Sequence, residues 1–159
     1  SLAQYFAELT YELAPREEDS SEFLSLILNS LYLLSTGKRS RKIIKAAIEL
    51  RMLTLAGYMP GLICCENCGA FESEVMYFSL YTGELYCELC RGAQKLTRLS
   101  LGTVTAMRHI CFSQRDKIFN FRLPQEGLDA LSTVTEKYLI YITARKYKTL
   151  DFYKTMADE

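Results

Sequence analysis

Two Cys-x-x-Cys pairs, Cys65-Glu66-Asn67-Cys68 and Cys87-Glu88-Leu89-Cys90, stand one short hairpin apart in CCENCGAFESEVMYFSLYTGELYCELC. Two residues between paired cysteines let both thiolates face one point. Gly69 and Gly92 follow the pairs and supply the tight turns such knuckles want. Four thiolates set tetrahedrally fill the coordination of Zn²⁺ and leave no position for water or substrate. The pattern therefore reads as structural zinc on Cys65, Cys68, Cys87 and Cys90, clamping a hairpin too small to fold by burial alone. An iron–sulfur centre also accepts four thiolates and stays open. Disulfides would suit an oxidising compartment, to which nothing in the sequence directs the chain. A redox Cys-x-x-Cys normally opens a helix in a βαβ setting, which is absent. Cys64 adjoins the first knuckle and is an alternative to Cys65, whose spacing is better. Cys111, among apolar residues, reads as a core thiol.

Around the cysteines the periodicity is helical. Leu2 to Leu13 has apolar residues at helical spacing and stops near Pro15. Ser20 or Ser21 is placed to cap an apolar helix from Phe23 to Leu34, ended at Thr36-Gly37. Ser40 is placed to cap a third helix, Arg41 to about Ala56, closed by Gly57. Lys42, Lys45 and Glu49 form its one narrow polar stripe, which predicts that most of its circumference is buried. Arg51 falls on the opposite side, so an acidic partner from a neighbouring helix is expected. Val75–Leu80 and Glu84–Tyr86 read as strands of a hairpin. Helical patterning returns at Thr103–Cys111, Phe112–Phe121 is irregular, and Pro124 opens a long helix with Leu128, Leu131, Thr135, Tyr138 and Ile142 on one face. The expected fold is mainly α: a helical, bundle-like domain over residues 1–159 with a four-cysteine zinc hairpin inserted at 64–92.

Nineteen basic and nineteen acidic residues leave no formal net charge, which argues against a surface that grips nucleic acid all over. The charges are unevenly placed, however. Acids crowd the first two dozen residues and the cysteine region. Bases crowd Lys38, Arg39, Arg41, Lys42 and Lys45, then Arg145, Lys146 and Lys148, so local fields can be positive. The single histidine, His109, lies two residues from Cys111 on a helix, where side chains do not face each other. No phosphate-binding, dinucleotide-binding, nucleophile-elbow or zinc-protease motif is present, and the chain is expected not to be an enzyme. No apolar run is long enough to cross a bilayer and no signal peptide opens the chain, so no membrane association is expected. The first residue is Ser1 rather than Met, which leaves room for an upstream part.

Arg39 to Pro60, RSRKIIKAAIELRMLTLAGYMP, resembles the "FELRLLxLxGYxP" helix that runs into "CxxCG" in the RecO family of bacterial recombination mediators. Cys65-Glu66-Asn67-Cys68-Gly69, Phe78-Ser79 and Cys87-Glu88-Leu89-Cys90 fall where that family keeps its zinc hairpin. Tyr138-Leu139-Ile140-Tyr141 with Lys148-Thr149-Leu150-Asp151-Phe152 is similar to its closing "YLxYHL…LKSLxF" segment, although Ile142-Thr143 stands where His-Leu is common. Tyr5 to Leu9 fits the helix after the family's N-terminal domain. The resemblance covers essentially the whole chain, but only the family's C-terminal part; the N-terminal OB-fold is absent here.

The resemblance implies a DNA repair and recombination mediator, bacterial, cytoplasmic and nucleoid-associated. Proteins of this kind bind single- and double-stranded DNA and anneal complementary strands. With RecR they help load RecA onto DNA coated by single-strand-binding protein, whose acidic, Phe-ending tail docks on the helical domain. Such a tail needs a basic rim beside an apolar groove. Lys38, Arg39, Arg41, Lys42 and Lys45 are the candidates for that rim, and with Arg145, Lys146 and Lys148 for phosphate contacts. The alternative is an unrelated zinc-stabilised protein-interaction module with no DNA binding.

Overall fold

The computed structural model describes residues 1–158. The elements run α1 (Leu2–Leu13), α2 (Ser21–Thr36), α3 (Arg41–Leu55), β1 (Gly61–Cys65), β2 (Val75–Phe78), β3 (Glu84–Tyr86), β4 (Thr97–Ser100), α4 (Leu101–Phe112), α5 (Gln125–Thr143) and α6 (Lys148–Ala157). Short polar side chains set the helix starts. Ser1 and Gln4 form a capping box on α1, Ser40 accepts from the Ile43 N–H on α3, and Ser100 accepts from the Thr103 N–H on α4. Gly37 ends α2 at φ 65°, a left-handed position that costs glycine little. No helix among the described residues is long and apolar enough to cross a membrane.

α3 is the axis of the helical part. Every residue from Ile43 to Leu50 is buried, and α1, α2, α4 and α5 pack around it. Two of the three residues of the α3 polar stripe lie inside this packing, contrary to expectation: Lys45 is 3% exposed and Glu49 0%, while Lys42 stays exposed. The Lys45 Nζ lies 3.0 Å from Glu49 Oε1 and 2.8 Å from Glu136 Oε2. Glu49 also accepts from the Tyr5 hydroxyl at 2.7 Å and the Thr135 hydroxyl at 3.0 Å. Lys154 of α6 reaches Glu136 at 2.6 Å. One polar network thus ties α1, α5 and α6 to α3. Burial raises the Glu49 carboxyl above its ordinary range, even with Lys45 and Tyr5 opposing that rise. Burial works against charge on Lys45, but Glu49 and Glu136 outweigh it and raise its pKa.

Arg51 also departs from expectation. Its Nη1 donates to the carbonyl oxygens of Ile110, Cys111 and Ser113 at 3.1, 2.9 and 3.0 Å, and no carboxylate takes part. The last carbonyls of a helix lack intrahelical donors and carry partial negative charge, so the end of α4 serves a guanidinium as an acid would.

The helical expectation holds in part, because the insert is more than a hairpin. β2 and β3 pair antiparallel as the sequence predicts, but β1 and β4 extend them into a four-stranded sheet of order β1-β3-β2-β4. β1 runs parallel to β3, and β4 antiparallel to β2 with Met76 opposite Leu99. Met76, Phe78, Leu85 and Leu99 join the same apolar cluster as the helices, and the Phe78 ring meets Tyr138 of α5 edge-on at 5.4 Å. Gly83, at φ 72°, turns the chain between β2 and β3 against that tyrosine; a Cβ there would lie 2.7 Å from the Tyr138 hydroxyl oxygen. Gly83→Ala combines a left-handed φ with a clash, and denaturant melts should show a loss of about 1–3 kcal/mol. Gly69→Ala, at φ 77° but facing open space, should cost less.

Candidate metal centre and docking groove

Cys65 ends β1 and Cys87 follows β3, so the sheet register places the two knuckles side by side. In the first, the Gly69 N–H donates to the Cys65 carbonyl at 2.9 Å and the Cys65 N–H to the Ala70 carbonyl at 2.8 Å. In the second, the Cys90 N–H donates to the Cys87 carbonyl at 3.1 Å. Gly69 and Gly92 take φ of 77° and 59°, the left-handed turns their positions predict. The sulfurs of Cys65, Cys68, Cys87 and Cys90 all lie within 4.8 Å of one another. Cys64 is not in this group, because successive residues of a strand point to opposite faces.

The donor set fits a tetrahedral cation. Zn–S bonds of ~2.3 Å place neighbouring sulfurs about 3.8 Å apart, and the Cys68 and Cys87 sulfurs are 3.7 Å apart. No pair is joined as a disulfide. Burial opposes a thiolate at Cys65, but backbone N–H groups of Cys68, Cys87 and Asn67 bring its pKa down to about 6. At Cys68 the Ala70 N–H favours the thiolate, yet the neighbouring thiols of Cys87, Cys65 and Cys90 push it up to about 12. Without a cation between them, these sulfurs cannot all carry charge. Four cysteines that could hold a metal ion therefore stand together. Cys111, by contrast, is buried beside α3, and burial pushes its thiol up to about 11.

The basic residues divide. Lys45 is withdrawn from the candidate rim, since it is buried in the α3 network. Lys42 pairs with Asp129 and Arg145 with Glu12. Arg39 donates to the Phe119 carbonyl and the Asn120 side chain, both at 3.1 Å. The Lys38 ammonium donates to the Tyr32 hydroxyl at 2.9 Å. Lys146 and Lys148 are exposed, and among the described residues no carboxylate lies within ion-pair distance of them or of Arg41.

Arg41 stands on the rim of an open groove of about 770 Å³ between α1, the end of α2 and α6. Leu2, Leu31, Leu34, Phe152 and Met156 line it, and Phe152 and Met156 are 57% and 58% exposed. Of the expected rim residues Lys38, Arg39, Arg41, Lys42 and Lys45, only Arg41 lines this groove. Lys42 and Lys45 line a separate hollow against α5 and α6. Sequence reasoning gives no reading of the apolar wall opposite Arg41. Phe152 and Met156 are one helical turn apart, and that spacing was the available signal.

Fold and site together define a helical domain whose sheet lobe gathers two cysteine knuckles. The family profile described as Recombination protein O C terminal matches residues 1–151, and the chain belongs to that family. A DNA repair protein RecO from Acetivibrio thermocellus is 31% identical over 155 residues, covering 97% of this chain and 62% of the relative. Proteins of the same name from Dehalococcoides mccartyi and Caldicellulosiruptor saccharolyticus are 26% and 25% identical, covering 94% and 96% of this chain and 59% and 62% of their own lengths. The chain thus spans about three fifths of the length of these relatives. Membership sets aside the reading as an unrelated interaction module.

Proposed function

We propose that the chain is the non-enzymatic helical platform of a cytoplasmic, nucleoid-associated DNA repair and recombination mediator. In this reading one helical domain over residues 1–159 is braced by a zinc lobe at 64–92, with Zn²⁺ on Cys65, Cys68, Cys87 and Cys90. When bound, the metal cross-links the two knuckles and supplies no reactive position. The platform docks the acidic, Phe-ending tail of single-strand-binding protein in the α1–α2–α6 groove. The observation that carries this is the groove itself, an exposed apolar trough whose rim holds Arg41, a guanidinium that pairs with no carboxylate among the described residues. A terminal ring would fill the trough, and Arg41 would take a carboxylate through its fork of donors.

The exposed Lys38, Lys146 and Lys148 support contacts to the phosphates of single- and double-stranded DNA. Action with RecR in loading RecA is the role the family resemblance implies. Fluorescence anisotropy with a labelled acidic peptide ending in Phe tests the docking. Arg41→Glu and Phe152→Ala should each weaken binding at least about tenfold, and removing the peptide's Phe should do the same. Equal affinities throughout would exclude the groove.

A further inference from the structure

Three exposed tyrosines come together from separate parts of the chain. Tyr81 stands in the turn between β2 and β3, Tyr141 in the last turn of α5, and Tyr58 in the loop between α3 and β1. They are 57%, 48% and 50% exposed. The Tyr81 and Tyr141 rings meet edge-on, with centroids 5.1 Å apart and planes at 88°. Tyr138 of α5 fixes this neighbourhood, because its hydroxyl donates to the Tyr58 carbonyl at 3.1 Å and lies against Gly83, two residues from Tyr81. The Gly61 N–H donates to the Gly83 carbonyl at 2.7 Å, which ties the Tyr58 loop to the Tyr81 turn. Rings scattered singly are ordinary on a protein surface, whereas rings gathered from three elements mark a binding surface.

An edge-on pair occupies one of the four faces that two rings offer and leaves the others for a flat group to stack on. The stripe of α5 that carries Tyr141 also carries Lys137, one turn earlier, and Lys146 follows the helix. Both lysines are exposed, and among the described residues neither has a carboxylate within ion-pair distance. Glu12, which lines a hollow with Tyr58 and Ile142, is held by Arg145. An apolar peptide would leave the two ammonium groups unmatched. Unpaired bases on an anionic backbone match both the rings and the charges. In a duplex the base faces are stacked inside, and the phosphates alone remain for the lysines.

We propose that Tyr81 and Tyr141, with Tyr58 beside them, form a base-stacking platform for single-stranded nucleic acid, flanked by Lys137 and Lys146 as phosphate contacts. The site rests on the reading of the chain as a DNA repair platform, and it gives that platform a means of telling single strands from duplex. A strand that pairs with its complement withdraws its bases from the rings and keeps only the salt-sensitive phosphate contacts.

Fluorescence anisotropy of the 159-residue chain tests the platform with three labelled probes: an unstructured oligonucleotide, its duplex, and an abasic strand of the same length. The unaltered chain should bind the oligonucleotide about fivefold or more tightly than either of the others. Tyr81→Ala and Tyr141→Ala should each weaken the single strand about fivefold or more, and leave the duplex and the abasic strand unchanged. Tyr141→Phe keeps the ring and should retain single-strand affinity, whereas Lys137→Glu should weaken all three probes. The chain has no tryptophan, so Tyr141→Trp adds a sole reporter, whose emission the oligonucleotide should quench and the abasic strand should not. No binding of the oligonucleotide, or equal affinity for it and the abasic strand, would overturn the platform. So would tyrosine variants that bind the single strand like the unaltered chain, or that lose all three probes alike. Neither these tyrosines nor Lys137 line the α1–α2–α6 groove, so the acidic peptide ending in Phe is the control. Its retained affinity in a chain with no preference for bases would remove the platform and leave the docking reading standing.

Discussion

Cys65→Ser should cost more than about 4 kcal/mol of stability, the scale reserved for losing a structural metal, and should abolish stoichiometric zinc. The cause is local. The β1–β3–β2–β4 sheet has strands of three to five residues, and its two knuckles converge on the four clustered sulfurs. Metal-binding free energy in such modules is folding free energy. A chelator should therefore loosen the sheet lobe while α1, α2, α3 and α5 keep their helical signal. Cys64→Ser, one residue away but outside the sulfur cluster, should change stability by no more than about 1 kcal/mol and leave the zinc in place. Denaturant titration beside metal analysis separates the two variants. Equal effects of the two substitutions would refute the assignment of ligands.

Lys45→Met should be comparably damaging, at about 3–5 kcal/mol, because it leaves Glu49 buried without its cation. Lys42→Met, which removes an exposed pair with Asp129, should cost no more than about 1 kcal/mol. Adding Glu49→Gln to Lys45→Met removes the stranded charge and keeps an acceptor for Tyr5 and Thr135, so it should recover roughly 1–3 kcal/mol.

The pH dependence follows from the shifts. The Lys45 pKa is raised, so the stability it contributes is fully present below the ordinary lysine value of 10.5 and is lost as pH rises through the folded value. Burial opposes charge on Glu136, but Lys45 and Lys154 lower its pKa, so its contribution is present above the ordinary 4.5 and lost as pH falls through the folded value. Glu49 is raised and opposes Glu136 at the acid end: its contribution is present below 4.5 and lost as pH rises through its folded value. Thermal melts from acid to alkaline pH, with Lys45→Met beside the unaltered chain, read these signs directly. The variant's deficit should shrink in acid, where Glu49 protonates.

The cysteine knuckles and the helix positions were legible because local chemistry specifies them. Ser40 before Arg41, Gly37 after Thr36 and the Cys-x-x-Cys spacing need no distant partner to be read. β1 and β4 were not legible. Each is five residues or fewer, and each becomes a strand only by pairing with segments far along the chain. α6 escaped for a different reason: only Leu150 of its ten residues is buried, so its apolar signal is thin. Periodicity correctly put Lys45 and Glu49 on one stripe of α3. It could not say that α5 would cover that stripe with Ser132, Thr135 and Glu136. Arg51 shows the same limit, since a set of helix-end carbonyls carries no residue signature.

The most direct test of the docking account is a titration of the isotope-labelled chain with the acidic, Phe-ending peptide, followed by amide NMR shifts. The account predicts shifts gathered at Leu2–Gln4, Leu31–Ser35, Arg41 and Phe152–Ala157, around the groove. Shifts gathered instead on the cysteine lobe, or none at saturating peptide, would contradict it.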